Sequence, residues 1–145
     1  MRVGVPKEIK AQESRVGLTP NSVKVLTSNG HEVLVENNSG FEAGFDNDQY
    51  EKAGAKIVSK ATDIFNDSEI IVKVKEPVNK EIAMIKENQV VFTYLHLAAG
   101  KELTEGLIKS KSVCIAYETV TDSNGKLPLL APMSAVAGRM SIQAG

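Results

Sequence analysis

Short runs of β-branched and other apolar residues alternate along the chain with segments of helical periodicity. The expected strands are residues 3–5, 31–36, 55–58, 69–75, 89–95 and 112–117. The expected helices are residues 20–30, 48–54, 61–65, 79–87 and 101–109, with a last one from residue 132 onwards. Alternation of this kind is typical of β-α-β units, in which successive strands run parallel and helices pack on both faces of the sheet. We therefore predict an α/β fold with a doubly wound, mainly parallel sheet.

Local signals mark the ends of some of these elements. Thr19 followed by Pro20 predicts a helix N-cap with proline at the first helical position, and Gly30 predicts the end of that helix. Asn124 and Gly125 are expected at the tip of a turn-rich loop over residues 121–128.

The size and charge of the chain narrow the class of protein. Its 145 residues, 42% hydrophobic and 24% charged, are typical of one globular domain with a sizeable core. A net charge of -1 gives no electrostatic reason to expect nucleic acid or an anionic membrane as a partner. No apolar stretch approaches the ~20 residues needed to cross a bilayer, and the N-terminus has no signal-peptide pattern. We therefore expect a soluble, cytoplasmic protein.

The single cysteine, Cys114, lies in an apolar run within an expected strand. It has no partner for an internal disulfide. We predict a buried, unreactive thiol, which fits a reducing compartment.

Polar residues at strand ends are the first candidates for a functional site. In doubly wound sheets of the Rossmann- or flavodoxin-like kind, ligands bind outside the carboxyl ends of the strands. Lys73 and Lys75 lie two residues apart, and so on the same face of an expected strand. Lys75 at its end could face an anionic substrate, although the spacing alone favours an exposed sheet edge for both lysines.

Three further side chains stand at comparable positions. His96 follows an expected strand, and histidine is the side chain best suited to proton transfer at neutral pH. Arg15 lies in a polar loop after the first strand, where its planar fork could hold a carboxylate. Glu118 follows the strand at 112–117. A structural histidine, a solvated arginine and a solvated carboxylate are the alternatives.

Several motifs are absent from the sequence. It has no Gly-x-Gly-x-x-Gly fingerprint, no phosphate-binding Gly-Lys-Ser/Thr loop, and no cysteine or histidine cluster with metal-ligand spacing, so we expect no metal site. The residues alone thus predict a doubly wound domain with a site for a small anion, and they do not name the reaction.

A set of ordered motifs resembles bacterial alanine dehydrogenase, of the alanine dehydrogenase/pyridine nucleotide transhydrogenase N-terminal domain family, over all 145 residues. The motifs are Met1-Arg2-Val3-Gly4-Val5-Pro6-Lys7-Glu8, Glu13-Ser14-Arg15-Val16-Gly17-Leu18-Thr19-Pro20, Lys73-Val74-Lys75-Glu76-Pro77, Tyr94-Leu95-His96-Leu97-Ala98, Ala116-Tyr117-Glu118-Thr119 and Leu130-Ala131-Pro132-Met133-Ser134. Members of this family interconvert L-alanine with pyruvate and ammonia using NAD.

The resemblance implies roles for the strand-end residues. Arg15 and Lys75 would hold the substrate carboxylate, and Lys75 could also polarise the keto oxygen. His96 would act as general acid and base on the substrate oxygen. Tyr94 and Glu118 would lie at or near the site.

The resemblance also implies a cofactor contact near the end of the chain. Met133 would lie close to the nicotinamide and the substrate, and Ser134 would contact the NAD. Residues 1–131 would form the substrate-binding domain, and residues 132–145 would begin a helix leading to an NAD-binding domain that the chain lacks. We therefore expect no turnover by this chain alone, and a homo-oligomer, commonly a hexamer, for the family.

Two alternatives stay open. The NAD-binding component of proton-translocating transhydrogenase shares the fold and the opening motif, although its family lacks the Tyr-Leu-His-Leu-Ala and Tyr-Glu-Thr motifs. A binding or assembly domain without catalysis is the other.

Overall fold

The computed structural model describes residues 1–144 and contains a six-stranded, all-parallel sheet in the order β3-β2-β1-β4-β5-β6. The strands are β1 (Arg2–Val5), β2 (Glu32–Glu36), β3 (Lys56–Val58), β4 (Ile70–Val72), β5 (Val90–Thr93) and β6 (Val113–Ala116). The α-helices are α1 (Pro20–Ser28), α2 (Asn47–Lys52), α3 (Ala61–Asp67), α4 (Asn79–Ile82), α5 (Lys101–Ser110) and α6 (Ala131–Ala144). The predicted parallel α/β sheet is confirmed.

The direction in which strands are added reverses at β1. The chain first builds outward through β2 to β3, then crosses back so that β4 pairs with β1, with Val3 opposite Ile70 and Gly4 opposite Ile71. The loops that follow β1 and β4 therefore begin next to each other at the carboxyl edge and then run in opposite directions. Such a switch point opens a crevice at the carboxyl edge, and ligands of open α/β sheets bind there.

Two apolar clusters fill the two faces of the sheet. On one face, Val3 and Val33 pack with Val23 of α1 and Tyr50 of α2. On the other face, Ile71 and Val91 pack with residues of α3 and α5, namely Ile64, Phe65 and Leu107. Side chains alternate between these faces along each strand, so each buried strand carries apolar residues toward both layers. Helices on both faces, as predicted, enclose a doubly wound sheet.

The expected limits of α1 are confirmed. The hydroxyl of Thr19 accepts a hydrogen bond from the backbone N–H of Ser22 at 3.3 Å, and Pro20 is the first helical residue. Gly30 follows the C-cap with φ of 78°, a conformation that glycine adopts without a Cβ clash.

β4 and α4 end well before the residues that the sequence pattern indicates. β4 ends at Val72 and not at residue 75. The N–H of Lys73 still bonds the carbonyl of Phe92 on β5, but the N–H of Val74 donates to the Glu8 carboxylate at 2.7 Å. α4 ends at Ile82 and not at residue 87, since Met84 and Ile85 form i→i−3 turns to Glu81 and Ile82.

Cys114 is half-buried, and the expectation of a fully buried thiol is wrong. It lies on β6, which is the edge strand of the sheet, and only its inner side packs against a core cluster. Its Sγ lies 3.4 Å from the Ser112 hydroxyl. Across residues 1–144, none of the helices is both long and apolar enough to cross a membrane.

Candidate active site

The sequence-predicted site residues converge on the carboxyl edge of the sheet. Arg15 lies in the loop after β1, Lys75 after β4, His96 after β5 and Glu118 after β6. The start of α6 joins them, because Nη1 of Arg15 lies 3.0 Å from Sδ of Met133. Four strand ends and one helix end thus frame the switch-point crevice.

The loop that carries Arg15 is seated directly on the end of β4. At Gly17 an added Cβ would lie 2.5 Å from the carbonyl oxygen of Val72, so only glycine allows this approach. The hydroxyl of Tyr50 donates a hydrogen bond to the carbonyl of Leu18 at 2.8 Å and fixes the same loop from the side. Burial raises the pKa of Tyr50 to about 12, so the hydroxyl keeps its proton at neutral pH. Arg15 is therefore placed by packing as well as by charge.

Glu13 holds the guanidinium of Arg15. Its Oε1 accepts from Nε at 2.8 Å and from the backbone N–H of Arg15 at 3.0 Å, while Oε2 accepts from Nη2 at 2.6 Å. The side chain of Glu13 is 7% exposed and that of Arg15 is 47% exposed. Hydrogen bonds from Arg15 lower the pKa of Glu13 below its ordinary value, against the opposing effect of burial. Arg15 is thus a half-exposed loop arginine held by Glu13, a partner that stands two residues away in the sequence and was not predicted.

Lys73 does not lie on an exposed sheet edge. β4 is a central strand between β1 and β5, and the Lys73 side chain is 1% exposed. Its Nζ lies 2.6 Å from Oε1 of Glu81 and 3.2 Å from Oε2 of Glu8. This buried ion triad, Glu8–Lys73–Glu81, is structural, because both carboxylates also accept backbone N–H groups, those of Val74 at 2.7 Å and Val78 at 2.9 Å.

Lys75 has a different environment from Lys73. It is half-buried, and within residues 1–144 its ammonium makes no hydrogen bond or ion pair in this structure. Its backbone carbonyl accepts from the Thr93 hydroxyl at 2.9 Å, which ties it to β5. It is near enough to Glu13 to contribute to the lowered pKa of that carboxyl. Of the two lysines predicted on this strand, Lys75 is thus the one available to an anion.

His96 is fixed through its backbone by Glu118. The Glu118 carboxylate accepts from the N–H of His96 at 2.9 Å and of Leu95 at 3.1 Å. His96 itself adopts the left-handed conformation, with φ of 49° and ψ of 39°. Its Nδ1 lies 3.5 Å from Oε2 of Glu76, which also pairs with Lys10. Glu118 is therefore half-buried and bonded, and the solvated-carboxylate alternative is wrong.

Tyr94 is buried beside His96. The two rings stack with centroids 6.3 Å apart and an interplanar angle of 24°. The Tyr94 hydroxyl donates to the carbonyl of Leu129 at 2.6 Å, and its ring packs edge-on against Tyr117 with centroids 5.0 Å apart. Tyr94 thus connects β5 to the segment that leads into α6.

Two cavities open at this edge, and the predicted residues divide between them. A cavity of about 490 Å³ is mainly apolar and has Arg15, Tyr94 and Met133 in its wall. A second of about 590 Å³ is lined by His96 with Lys10 and the loop and helix start from Glu76 to Lys80. Lys75, Glu118 and Ser134 line neither. The stacked rings of Tyr94 and His96 therefore lie between the two cavities.

This arrangement suits a small carboxylate. An apolar cavity with one guanidinium in its wall can receive an acid with a short apolar group. The imidazole of His96, which lines the second cavity, can move a proton. No group of three or more His, Cys, Asp or Glu side chains within residues 1–144 is arranged to hold a metal ion.

Residues 4–137 match the family model described as the alanine dehydrogenase/PNT, N-terminal domain. The chain belongs to this family. Alanine dehydrogenases of Halomonas elongata and Methanococcus maripaludis are 51% and 48% identical over all 145 residues. The chain spans 39% of the length of each of these curated relatives.

Solved structures agree with this membership. A structure of L-alanine dehydrogenase matches with a TM-score of 0.94 and 52% identity, over 100% of this chain and 40% of the other. A transhydrogenase from Sinorhizobium meliloti matches with a TM-score of 0.79 and 28% identity, over 86% of this chain and 35% of the other. The crevice residues thus lie in a domain with the alanine dehydrogenase/PNT N-terminal fold.

Proposed function

We propose that this chain is the substrate-binding part of an NAD-dependent L-alanine dehydrogenase, which interconverts L-alanine with pyruvate and ammonia. The observation that carries the proposal is the placement of Arg15 at the switch-point crevice, in the wall of an apolar cavity. Pyruvate and alanine each combine a carboxylate with one methyl group, which matches an apolar cavity with a guanidinium in its wall. The identity of about 50% to alanine dehydrogenases over the whole chain supports the same substrates.

The carboxylate is held by Arg15 and Lys75 in this proposal. The guanidinium offers a planar pair of donors, and the Lys75 ammonium offers a second positive charge from the neighbouring strand end. Two fixed cations orient the substrate, and Lys75 also stabilises negative charge on the keto oxygen.

His96 moves protons at the substrate oxygen. Conversion of a ketone and ammonia to an imine requires the loss of that oxygen as water, so a proton must be delivered to it and returned. An imidazole titrates near neutral pH and can do both. Tyr94, stacked on His96, limits the positions that the ring can take.

NAD supplies the hydride acceptor or donor when it is bound. Residues 1–144 contain no glycine-rich phosphate loop after β1, so we propose that they contact only the nicotinamide end of the cofactor. Met133 and Ser134 at the start of α6 fit this role, since Met133 reaches Arg15 in the crevice and Ser134 is exposed beside it.

The relatives are longer than this chain, which spans 39% of their length. We propose that residues 1–131 bind the substrate and that residues 132–145 begin the helix leading to an NAD-binding domain. Because turnover needs that domain, we expect the chain alone to be inactive. A homo-oligomer and a cytoplasmic location stay predictions.

A second candidate function is hydride exchange between nicotinamide nucleotides. The structural match to a transhydrogenase, with a TM-score of 0.79, supports this second candidate. That reaction needs neither a carboxylate site nor a proton carrier beside it.

The test follows NADH absorbance in the full-length gene product with pyruvate, with and without ammonium. Alanine dehydrogenase requires both compounds, and His96→Ala or Arg15→Ala should abolish the rate, whereas His31→Ala serves as the matched control. NADH oxidation by an oxidised nucleotide analogue, with no response to pyruvate and ammonium, would assign the transhydrogenase reaction instead.

A further inference from the structure

Glu13 occupies one edge of the Arg15 guanidinium, and the other edge faces Met133. A guanidinium presents two donor pairs, Nε with Nη2 along its side and Nη1 with Nη2 at its end. Glu13 bonds the side edge, at 2.8 Å from Nε and 2.6 Å from Nη2. Nη1 points instead to Met133, in the wall of the apolar cavity. A thioether sulfur is only a weak acceptor, so an incoming carboxylate can replace Met133 at this end edge.

We propose that Glu13 is the positioning residue for substrate binding: it locks the plane of Arg15 so that the end edge faces the substrate carboxylate. The inference rests on the proposed function, because it concerns binding of pyruvate and alanine at that site. It adds a residue that does not itself touch the substrate.

The contacts of Glu13 indicate that it acts as a clamp, which holds the Arg15 guanidinium in place, and does not compete with the substrate for it. A competitor must release the guanidinium when substrate arrives, but the Glu13 side chain is only 7% exposed. Its Oε1 also accepts the backbone N–H of Arg15 at 3.0 Å, so the carboxylate is bound within its own loop whether or not the guanidinium is engaged. Gly17 seats that loop against Val72 and prevents it from swinging away.

The charge balance points the same way. The lowered pKa of Glu13 keeps its carboxyl ionised at neutral pH, so its hydrogen bonds with Arg15 are charge-assisted. Glu13 offsets the charge of Arg15, and Lys75, which also acts on Glu13, adds a positive charge beside the pair. The Glu13 charge weakens the attraction between Arg15 and the substrate carboxylate, but it fixes the geometry of the guanidinium donors.

The test is the Glu13→Gln variant of the full-length gene product, with KM measured separately for pyruvate, ammonium and NADH. A glutamine amide faces one of its N–H groups toward the arginine donors, so the fork loses its fixed plane. We expect KM for pyruvate to rise about tenfold, equivalent to 1.4 kcal/mol, with KM for ammonium and NADH unchanged. Glu13→Asp, which keeps the charge, should give a smaller rise. Glu105→Gln, an exposed carboxylate on α5, is the control.

A double variant shows whether Glu13 acts through Arg15. Arg15→Lys keeps the charge and removes the fork, so Glu13→Gln should add nothing to KM for pyruvate in that background. If KM for pyruvate stays unchanged or falls in Glu13→Gln, Glu13 is a spectator or a competitor and the proposal is wrong. If the unaltered protein shows no ammonium-dependent oxidation of NADH with pyruvate, the proposed function itself fails.

Discussion

The Glu118 carboxylate accepts a hydrogen bond from the backbone N–H of His96 at 2.9 Å. The bond stabilises a residue in the left-handed conformation, φ 49°, which costs a non-glycine residue on the order of 1 kcal/mol. Because the second bond of Glu118 goes to Leu95, the end of β5 is fixed over two successive residues. The direction in which the imidazole leaves the sheet is therefore set by a side chain that follows the neighbouring strand, β6.

Removing the Glu118 carboxylate should impair catalysis more than it impairs folding. In Glu118→Ala both N–H groups lose their acceptor and His96 can relax, and a displacement of about 1 Å can cost on the order of 10²-fold in rate. Glu118→Gln retains one acceptor oxygen and should lose less than about tenfold. The measurement is kcat of the full-length gene product, with Glu42→Gln on an exposed turn as the control. Equal losses in the alanine and glutamine variants would contradict this role.

Gly17→Ala should weaken substrate binding. The new Cβ would lie 2.5 Å from the Val72 carbonyl oxygen, which belongs to a central strand and cannot move aside. The loop must lift, and Arg15 moves with it. We expect KM for pyruvate to rise at least about tenfold, and stability to fall by roughly 1–3 kcal/mol. Gly138→Ala, where no atom lies within 4 Å of the added Cβ, is the matched control. An unchanged KM would show that Arg15 does not depend on this close approach.

The buried ion triad makes a sharp prediction for stability. Lys73→Met leaves the carboxylates of Glu8 and Glu81 buried without their cation, and breaking a buried pair in this way costs about 3–5 kcal/mol. Urea unfolding of this chain, followed by circular dichroism, measures the loss. Lys101→Met removes a lysine that is 88% exposed and should change stability by less than about 0.5 kcal/mol. Similar losses in the two variants would mean that the triad contributes little.

Glu36 should limit stability at neutral pH. Burial, and to a lesser degree the Glu81 carboxylate, raise its pKa above the ordinary 4.5, although the Lys7 N–H and the Lys73 charge oppose them. A raised pKa in the folded state favours folding at low pH, and the contribution is lost as pH rises through that pKa. Glu36→Gln cannot titrate, and its amide oxygen can still accept from the N–H of Lys7.

The measurement is the free energy of unfolding of Glu36→Gln relative to the unaltered chain across pH. We expect this difference to move in favour of the glutamine variant as pH rises from about 4 to about 7. A difference that is constant with pH would show that Glu36 has the same pKa folded and unfolded.

The sheet could be predicted from the sequence because each strand carries its own signal. Runs such as Val33–Val35 and Ile70–Val72 are apolar on both faces, as a parallel strand covered by helices must be. Thr19, Pro20 and Gly30 mark α1 by local backbone chemistry alone. The strand order and the switch point are not local in this sense, since they depend on which neighbour each strand pairs with.

The candidate site could be predicted only in part, because several of its contacts join residues that are far apart in sequence. Arg15, Lys75 and His96 stand at strand ends and could be selected by position. Lys73 has the same spacing signal as Lys75, yet it pairs with Glu8, 65 residues away in sequence, and Glu81. The roles of Glu13 and Glu118 depend on distances that no spacing rule encodes.

The most direct test of the central claim identifies the product. The full-length gene product is incubated with pyruvate, NADH and ¹⁵N-ammonium, and the nitrogen-labelled products are followed by NMR. We predict L-[¹⁵N]alanine in amounts equal to the NADH consumed, and none from the His96→Ala variant. Consumption of NADH with lactate as the product, or labelled alanine from His96→Ala at the unaltered rate, would contradict the function and the site assigned to this chain.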